Sequence, residues 1–108
     1  VVSVPHDTKI ANPVENMPIH GGVIATIVDT SSAMALRTTF DDPKKIGGLT
    51  TTDLDVSYVR PATDDVYAEA EVVRAGNSVG VTRVTVESTS PDGDKKEVAV
   101  GKTTYRLF

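Results

Sequence analysis

Residues 16–36 read "NMPIHGGVIATIVDTSSAMAL", and this stretch decides the fold. From Gly21 to about Thr39, the residues Val23, Ile24, Ile27, Val28, Ser31, Met34 and Ala35 recur at helical spacing. Ala25, Ala33 and Leu36 fill the other faces, and only Asp29 and Arg37 carry charge. A helix apolar around most of its circumference is normally enclosed by other structure. The remainder of the chain is therefore expected to wrap it. "FDDPKKIGG", residues 40–48, ends the helix in a loop marked by Pro43 and two glycines.

The segments beyond that loop read as strands. In "LDVSYV" (54–59), Leu54, Val56 and Tyr58 alternate with Asp55 and Ser57. In "VYAEAEVV" (66–73), Val66, Ala68, Ala70 and Val72 alternate with Tyr67, Glu69 and Glu71. "AGNS" (75–78) is a turn, and "VGVTRVTVE" (79–87) is a β-branched run. Its apolar phase slips between Val81 and Val84, which predicts a bulge or a strong twist there. "SPDGDKK" (90–96) is a hairpin turn, and "EVAVGKTTYRLF" (97–108) closes the chain. Residues 1–19, with Pro5, Pro13 and Pro18, read as one or two short strands and a loop. Their β-prone opening suggests a chain that starts a few residues earlier. About four strands in meander order after one helix make an α+β domain, an antiparallel sheet curled around a central helix. Residues 1–108 are expected to form that single domain.

Composition narrows the function. The net charge is -4 with both signs interspersed, which argues against a nucleic-acid partner because phosphate binding needs a basic face. The chain has no cysteine, so thiol nucleophiles, disulfides and zinc-thiolate sites are excluded. No metal-ligand cluster is evident, and His6 has no identifiable partner. Val1–Val4 is too short and too quickly followed by Pro5 to be a signal peptide, and Val23–Val28 is far below a membrane-spanning length. The expectation is a cytoplasmic protein without membrane contact. At this size a monomer leaves much of its surface unburied, so self-association is expected.

Two features of the opening stretch point to chemistry. Asp29 is a carboxylate among aliphatic and small hydroxyl residues. It reads either as a solvent-facing charge beside Arg37 or as a partly buried group facing a cleft, suited to act as general base or nucleophile. His20-Gly21-Gly22 starts the same helix, where unpaired N–H groups and the positive end of the helix dipole favour oxygen anions. A plain glycine turn with a surface histidine explains the same residues. Asp29 lies eight residues beyond Gly21, about 12 Å along a helix. A reacting carbonyl must touch both the oxyanion donor and the attacking group at about 3 Å. One helix cannot supply both. Two antiparallel copies related by a two-fold axis could pair Gly21 of one chain with Asp29 of the other, so an active site would lie between subunits.

"HGGVIATIVDTSSAMAL" (20–36), followed by "TTDLDVSYVRPA" (51–62), resembles the hotdog-fold acyl-CoA thioesterases of the PaaI-like group. The similarity extends to the branch that includes 4-hydroxybenzoyl-CoA thioesterase and covers the chain from about Asn12 to Tyr105. The resemblance implies a sheet wrapping the helix, a homodimer with one continuous sheet, and often a dimer of dimers. It implies hydrolysis of an acyl-CoA with no separate cofactor, coenzyme A being part of the substrate. Asp29 is then the catalytic carboxylate, and the Gly21 N–H polarises the thioester carbonyl of the opposing subunit's site. His20 orients that loop, and Thr51 helps place the attacking water. The family commonly has Asn six residues before the histidine, where this chain has Val14; Asn12, within "NP", and Asn16 are the substitutes, with Asn12 preferred.

For the coenzyme A portion, Gly22 would allow close backbone approach, and Arg60, ahead of Pro61 at a strand end, is the best-placed cation. Lys44, Lys45, Arg74, Arg83 and Lys102 read more simply as solvated charges. Asn77 and Ser78 of the "AGNS" turn could approach the nucleotide. Met34, Tyr58 and Tyr67 are candidates for the acyl pocket. Two rival functions share the fold: a non-catalytic acyl-thioester-binding subunit, and a hydratase or dehydratase. The hydratases usually place a catalytic His with an Asp or Glu at the helix start, so mid-helix Asp29 fits a thioesterase better.

Overall fold

The computed structural model describes residues 2–13, 17–39, 48–90 and 92–108. In chain order, β1 (Val2–Val4) and a 3₁₀ turn (Thr8–Ile10) precede the helix α1 (Gly21–Arg37). Then come β2 (Leu49–Tyr58), β3 (Val66–Ala75), β4 (Val79–Thr89) and β5 (Lys95–Leu107). The five strands form one antiparallel sheet in the order β1-β3-β4-β5-β2, and α1 packs against it. This is the α+β hotdog arrangement expected from the sequence. Among the described residues, no helix is long and apolar enough to cross a membrane.

The helix ends where threonine hydroxyls join the backbone. The Thr38 and Thr39 N–H groups reach Ala35 O and Leu36 O at 3.2 and 3.1 Å in a tightened last turn, and their hydroxyls add to the same two carbonyls, Thr38 Oγ1 to Ala35 O at 2.6 Å and Thr39 Oγ1 to Leu36 O at 2.7 Å. Its buried side chains Ile24, Ile27, Val28 and Leu36 meet Val66, Ala68, Val84, Val86 and Ala99 of the sheet, with Tyr105 and Leu107 completing a second cluster around Leu36. Burying an aliphatic side chain of this size contributes roughly 1.5–3 kcal/mol. Two glycines set how closely the layers approach. A Cβ at Gly101 would lie 2.6 Å from Val28 Cγ1, and one at Gly80 2.5 Å from Leu36 Cδ2. Neither position has room for a side chain.

The strand order departs from the expected meander. β3, β4 and β5 are consecutive neighbours, but β2 crosses the molecule to pair with β5 instead of β3. β2 is consequently an edge strand. Leu54, Val56 and Tyr58 oppose Thr103, Gly101 and Ala99, which lie on the buried, helix-facing side of β5, so the alternation has the expected phase. Burial does not follow: Leu54 is 43% and Tyr58 53% exposed, because this edge reaches past the cover of α1.

The expected bulge is also displaced. β4 keeps one phase through the region, with Gly80, Thr82, Val84 and Val86 all buried, and Thr82 occupies the inward position between the valines. The irregularity sits across the ladder in β3, between Val72 and Arg74, opposite Thr82 and Val81. A threonine read as polar hid the inward phase. Two further shifts fall at Thr51/Asp53 and Val86/Glu87. The expected turn closes between β4 and β5, with Ser90 N–H donating to Asp94 O at 2.8 Å and Gly93 at φ 91, and β5 already begins at Lys95. The loop expected over residues 40–48 lies outside the described residues except for Gly48.

Thr82 buries its hydroxyl without a hydrogen-bond partner among the described residues. An unpaired buried hydroxyl costs about 1–3 kcal/mol. Thr82→Val keeps the branched shape and removes that group. It is expected to stabilise the fold by about 1 kcal/mol, read as a higher urea midpoint at unchanged slope; a lower midpoint would show that the hydroxyl is satisfied.

Candidate active site

Asp29 is half-buried at the middle of α1, and β2 and β5 bring two hydroxyls to it. Thr51 Oγ1 donates to Asp29 Oδ1 at 2.9 Å. The Tyr105 hydroxyl lies 2.7 Å from the same Oδ1 and 2.6 Å from the backbone oxygen of Asp29. Oδ1 is thus held by two side chains, while Oδ2 has no protein donor among the described residues. The β2–β5 register explains the convergence, because Thr51 and Tyr105 are direct cross-strand partners on the helix-facing side. Burial first, and then hydrogen bonding to the Asp29 carboxylate, push the Tyr105 phenol well above its usual value of 10, so it keeps its proton. The hydroxyls of Ser32 and Thr51 act weakly in the other direction. An open groove of about 280 Å³ adjoins Asp29 and is lined by Thr30, Ala33, Met34, Arg37, Leu49 and Thr51.

The start of the helix is built differently. His20 is its N-cap at φ -53 and ψ 134, and its side chain makes no capping bond. His20 N–H donates to Ile10 O at 2.8 Å, while its carbonyl receives Val23 N–H and Ile24 N–H. Among the described residues no acceptor pairs with the N–H of Gly21 or Gly22. These are the orphan donors of the first turn, at the positive end of the dipole. A Cβ at Gly22 would meet nothing within 4 Å, so a ligand can approach this backbone. At Gly21 the approach is narrower: Tyr58 donates its hydroxyl to Gly21 O at 2.5 Å, and its ring carbon Cζ would lie 3.2 Å from a Cβ there.

Asn12 is placed at this same end. Its N–H donates to Pro18 O at 2.8 Å, and the neighbouring pair Ala11 and Ile19 form an isolated bridge. It therefore accompanies the His20 segment, not Asp29. Asn16 and Val14, like Lys44 and Lys45, lie outside the described residues.

The candidates for coenzyme A are divided between the two ends of the sheet. Arg60 follows β2, donates from Nη1 to Glu97 O at 2.9 Å, and lines a cleft of about 230 Å³ with Pro61, Ser88, Ser90 and Lys96. Asn77 and Ser78 lie at the far end, where Ser78 O accepts from Leu107 N–H. The eight residue steps of β5 from Ala99, opposite Tyr58, to Leu107 span about 26 Å. One chain does not bring Arg60 and the Asn77–Ser78 turn together. Of the pocket candidates, Met34 lines the Asp29 groove, Tyr58 stands at Gly21, and Tyr67 lies under Lys95 Nζ at 4.1 Å, away from both.

Tyr105 was not singled out from the sequence. The alternation in "TTYRLF" places Thr103, Tyr105 and Leu107 on one face, which is the available signal. Its meeting with Asp29 requires knowing that β5 runs beneath the middle of α1.

With this geometry in view, the sequence pattern of the thioesterase superfamily matches residues 19–93. A Halobacterium salinarum protein provisionally named an esterase is 39% identical over 109 positions, covering 97% of this chain and 71% of its own. A Bacillus halodurans protein crystallised with CoA is 25% identical with a TM-score of 0.81, covering 98% of this chain and 69% of that one. A Shewanella oneidensis protein related to the thioesterase superfamily is 26% identical with a TM-score of 0.79, covering 98% and 74%.

Proposed function

The chain belongs to the thioesterase superfamily, and from that premise we propose that it is an acyl-CoA thioesterase acting at an interface between two copies of itself. The observation that carries the reading is Asp29 at the groove, with one carboxylate oxygen tied by Thr51 and Tyr105 and the other without a protein donor among the described residues. The Bacillus halodurans relative that holds CoA supports the thiol portion of the substrate. In this reading residues 1–108 form one hotdog domain and no separate cofactor takes part.

As general base, Asp29 takes a proton from water as the water oxygen bonds to the thioester carbonyl carbon. The carbonyl electron pair moves to its oxygen, where the N–H of Gly21 from the second chain stabilises the oxyanion, a contribution of about 3–4 kcal/mol for one such donor. Collapse breaks the C–S bond, and the departing thiolate takes up the proton held by Asp29. As nucleophile, Oδ2 itself bonds to the carbonyl carbon and expels the thiolate, leaving an anhydride that water opens. A single turnover in ¹⁸O-labelled water tests the nucleophile: label in Asp29 marks it, with water opening the anhydride at the aspartyl carbon. Label only in the product acid fits either the base or opening at the acyl carbon, which hydroxylamine trapping of the anhydride tells apart. His20 and Asn12 shape the donor loop in either case.

The two-chain site also reconciles the divided candidates for coenzyme A. Antiparallel helices that set Gly21 beside the partner's Asp29 carry the Asn77–Ser78 turn of one chain towards the Arg60 end of the other. Gly22 then offers open backbone between them.

The test is release of free thiol over a set of short-chain, long-chain and aromatic acyl-CoAs. Thiol and free acid in equal amounts are expected from at least one of these classes. Binding of CoA without thiol release would instead make this an acyl-thioester-binding subunit, and an enoyl or hydroxyacyl thioester product would make it a hydratase.

A further inference from the structure

Asp29 has two chemically equivalent oxygens, and the fold treats them differently. We propose that Tyr105 is the positioning residue that ties down Oδ1 and so presents Oδ2 to water and thioester; the inference rests on Asp29 being the acting carboxylate. One hydroxyl oxygen lies within hydrogen-bond distance of both Oδ1 and the backbone oxygen of the same residue, at 2.7 and 2.6 Å. A single proton serves one acceptor at a time, and both positions fold the carboxylate back over its own peptide. That fixes the rotation about the Asp29 side chain instead of merely pairing with it. Thr51 Oγ1 occupies the remaining side of Oδ1 at 2.9 Å.

The two donors differ in rigidity. Thr51 is exposed and stands on the edge strand β2 beside the Thr51/Asp53 irregularity. Tyr105 is 2% exposed, lies on β5 between β4 and β2, and packs with Leu36 and Leu107. Its cross-strand neighbour Gly80 has no side chain, and a Cβ there would collide with Leu36. The ring is therefore held by the core, and the carboxylate is held by the ring. The upward displacement of the phenol's titration agrees with this, since the proton stays available for donation across the working pH range. A misplacement of about 1 Å at a reacting group can cost 10²-fold in rate, and this is the error such an anchor prevents.

The experiment measures kcat and KM for Tyr105→Phe, in the native chain and in an Asp29→Asn background, with thermal unfolding of each variant. Tyr105→Phe is expected to lower kcat by about 10- to 100-fold while KM stays within about twofold, because binding contacts are untouched. In the Asp29→Asn background the same change is expected to cost nothing further, because the group it positions is already gone. If the Phe chain does not unfold cooperatively, 4-fluorophenylalanine at 105 fills the phenol's volume without a proton to give and is read in the same way. A kcat near that of the native chain overturns the inference, and so does an equal loss in both backgrounds, which would mark a structural role. Failure of the parent reading looks different: the native chain would release no thiol, or Asp29→Asn would retain full activity.

Discussion

Asp29→Asn is expected to lower thioester turnover by about 10²- to 10⁴-fold, the usual range for loss of a positioned acid–base group. The asparagine keeps the size of the side chain, and its amide oxygen can still accept from Thr51 and Tyr105. The fold and the association state should therefore survive, and the loss should appear in kcat. What disappears is the second anionic oxygen, which neither protein hydroxyl occupies. Free-thiol release together with the elution volume on a sizing column checks both halves. Full activity across the acyl-CoA set would remove Asp29 from the mechanism.

The second large effect comes from deleting one backbone hydrogen. Gly21 is the first residue of α1, the position where proline is best tolerated in a helix. His20 before it is already at ψ 134, the extended value that a following proline requires. Gly21→Pro thus removes the N–H and leaves the helix start intact. Its Cβ does press on Tyr58, which Gly21→Ala reproduces while keeping the N–H. If the N–H holds the oxyanion, proline is expected to cost about 10²- to 10³-fold in kcat and alanine far less. Equal losses would assign the effect to the Tyr58 contact. Mixing Asp29→Asn chains with Gly21→Pro chains, under conditions of subunit exchange, adds a geometric test. Random two-fold pairs place both intact groups at one site in half of the dimers, so about a quarter of native activity should return. No recovery under conditions of subunit exchange would overturn the shared site, and with it the pairing of Gly21 from one chain with Asp29 from the other.

Much of this was legible in the residues. The 3.6-residue recurrence from Val23 to Leu36 marked the helix, and the structure ends it at Arg37, two residues earlier than expected, where the N–H groups and hydroxyls of Thr38 and Thr39 both close on Ala35 O and Leu36 O. The two-residue alternation marked β3 to β5 closely, and it gave β2 its correct inward face. The separation of Gly21 from Asp29 needed only the rise of a helix. The site's interior was less accessible. Thr51 was named through a family likeness, whereas Tyr105 looked like one more inward residue of a closing strand. Thr82 misled the phase of β4 because a buried hydroxyl reads as an outward one.

Local periodicity depends on which neighbours along the chain share a face, so the sequence by itself determined the helix, the inward phase of β2 and β3 and the distance along α1 between Gly21 and Asp29. Strand order depends on pairing between residues tens of positions apart, and alternation is the same whichever partner a strand finds. Only the tertiary structure decided that β2 leaves β3 and lies against β5. That single pairing sets Thr51 opposite Tyr105, brings both hydroxyls to Asp29 Oδ1, and turns the lone charge in "NMPIHGGVIATIVDTSSAMAL" into a carboxylate beside a groove, with one oxygen bound and the other without a protein donor among the described residues.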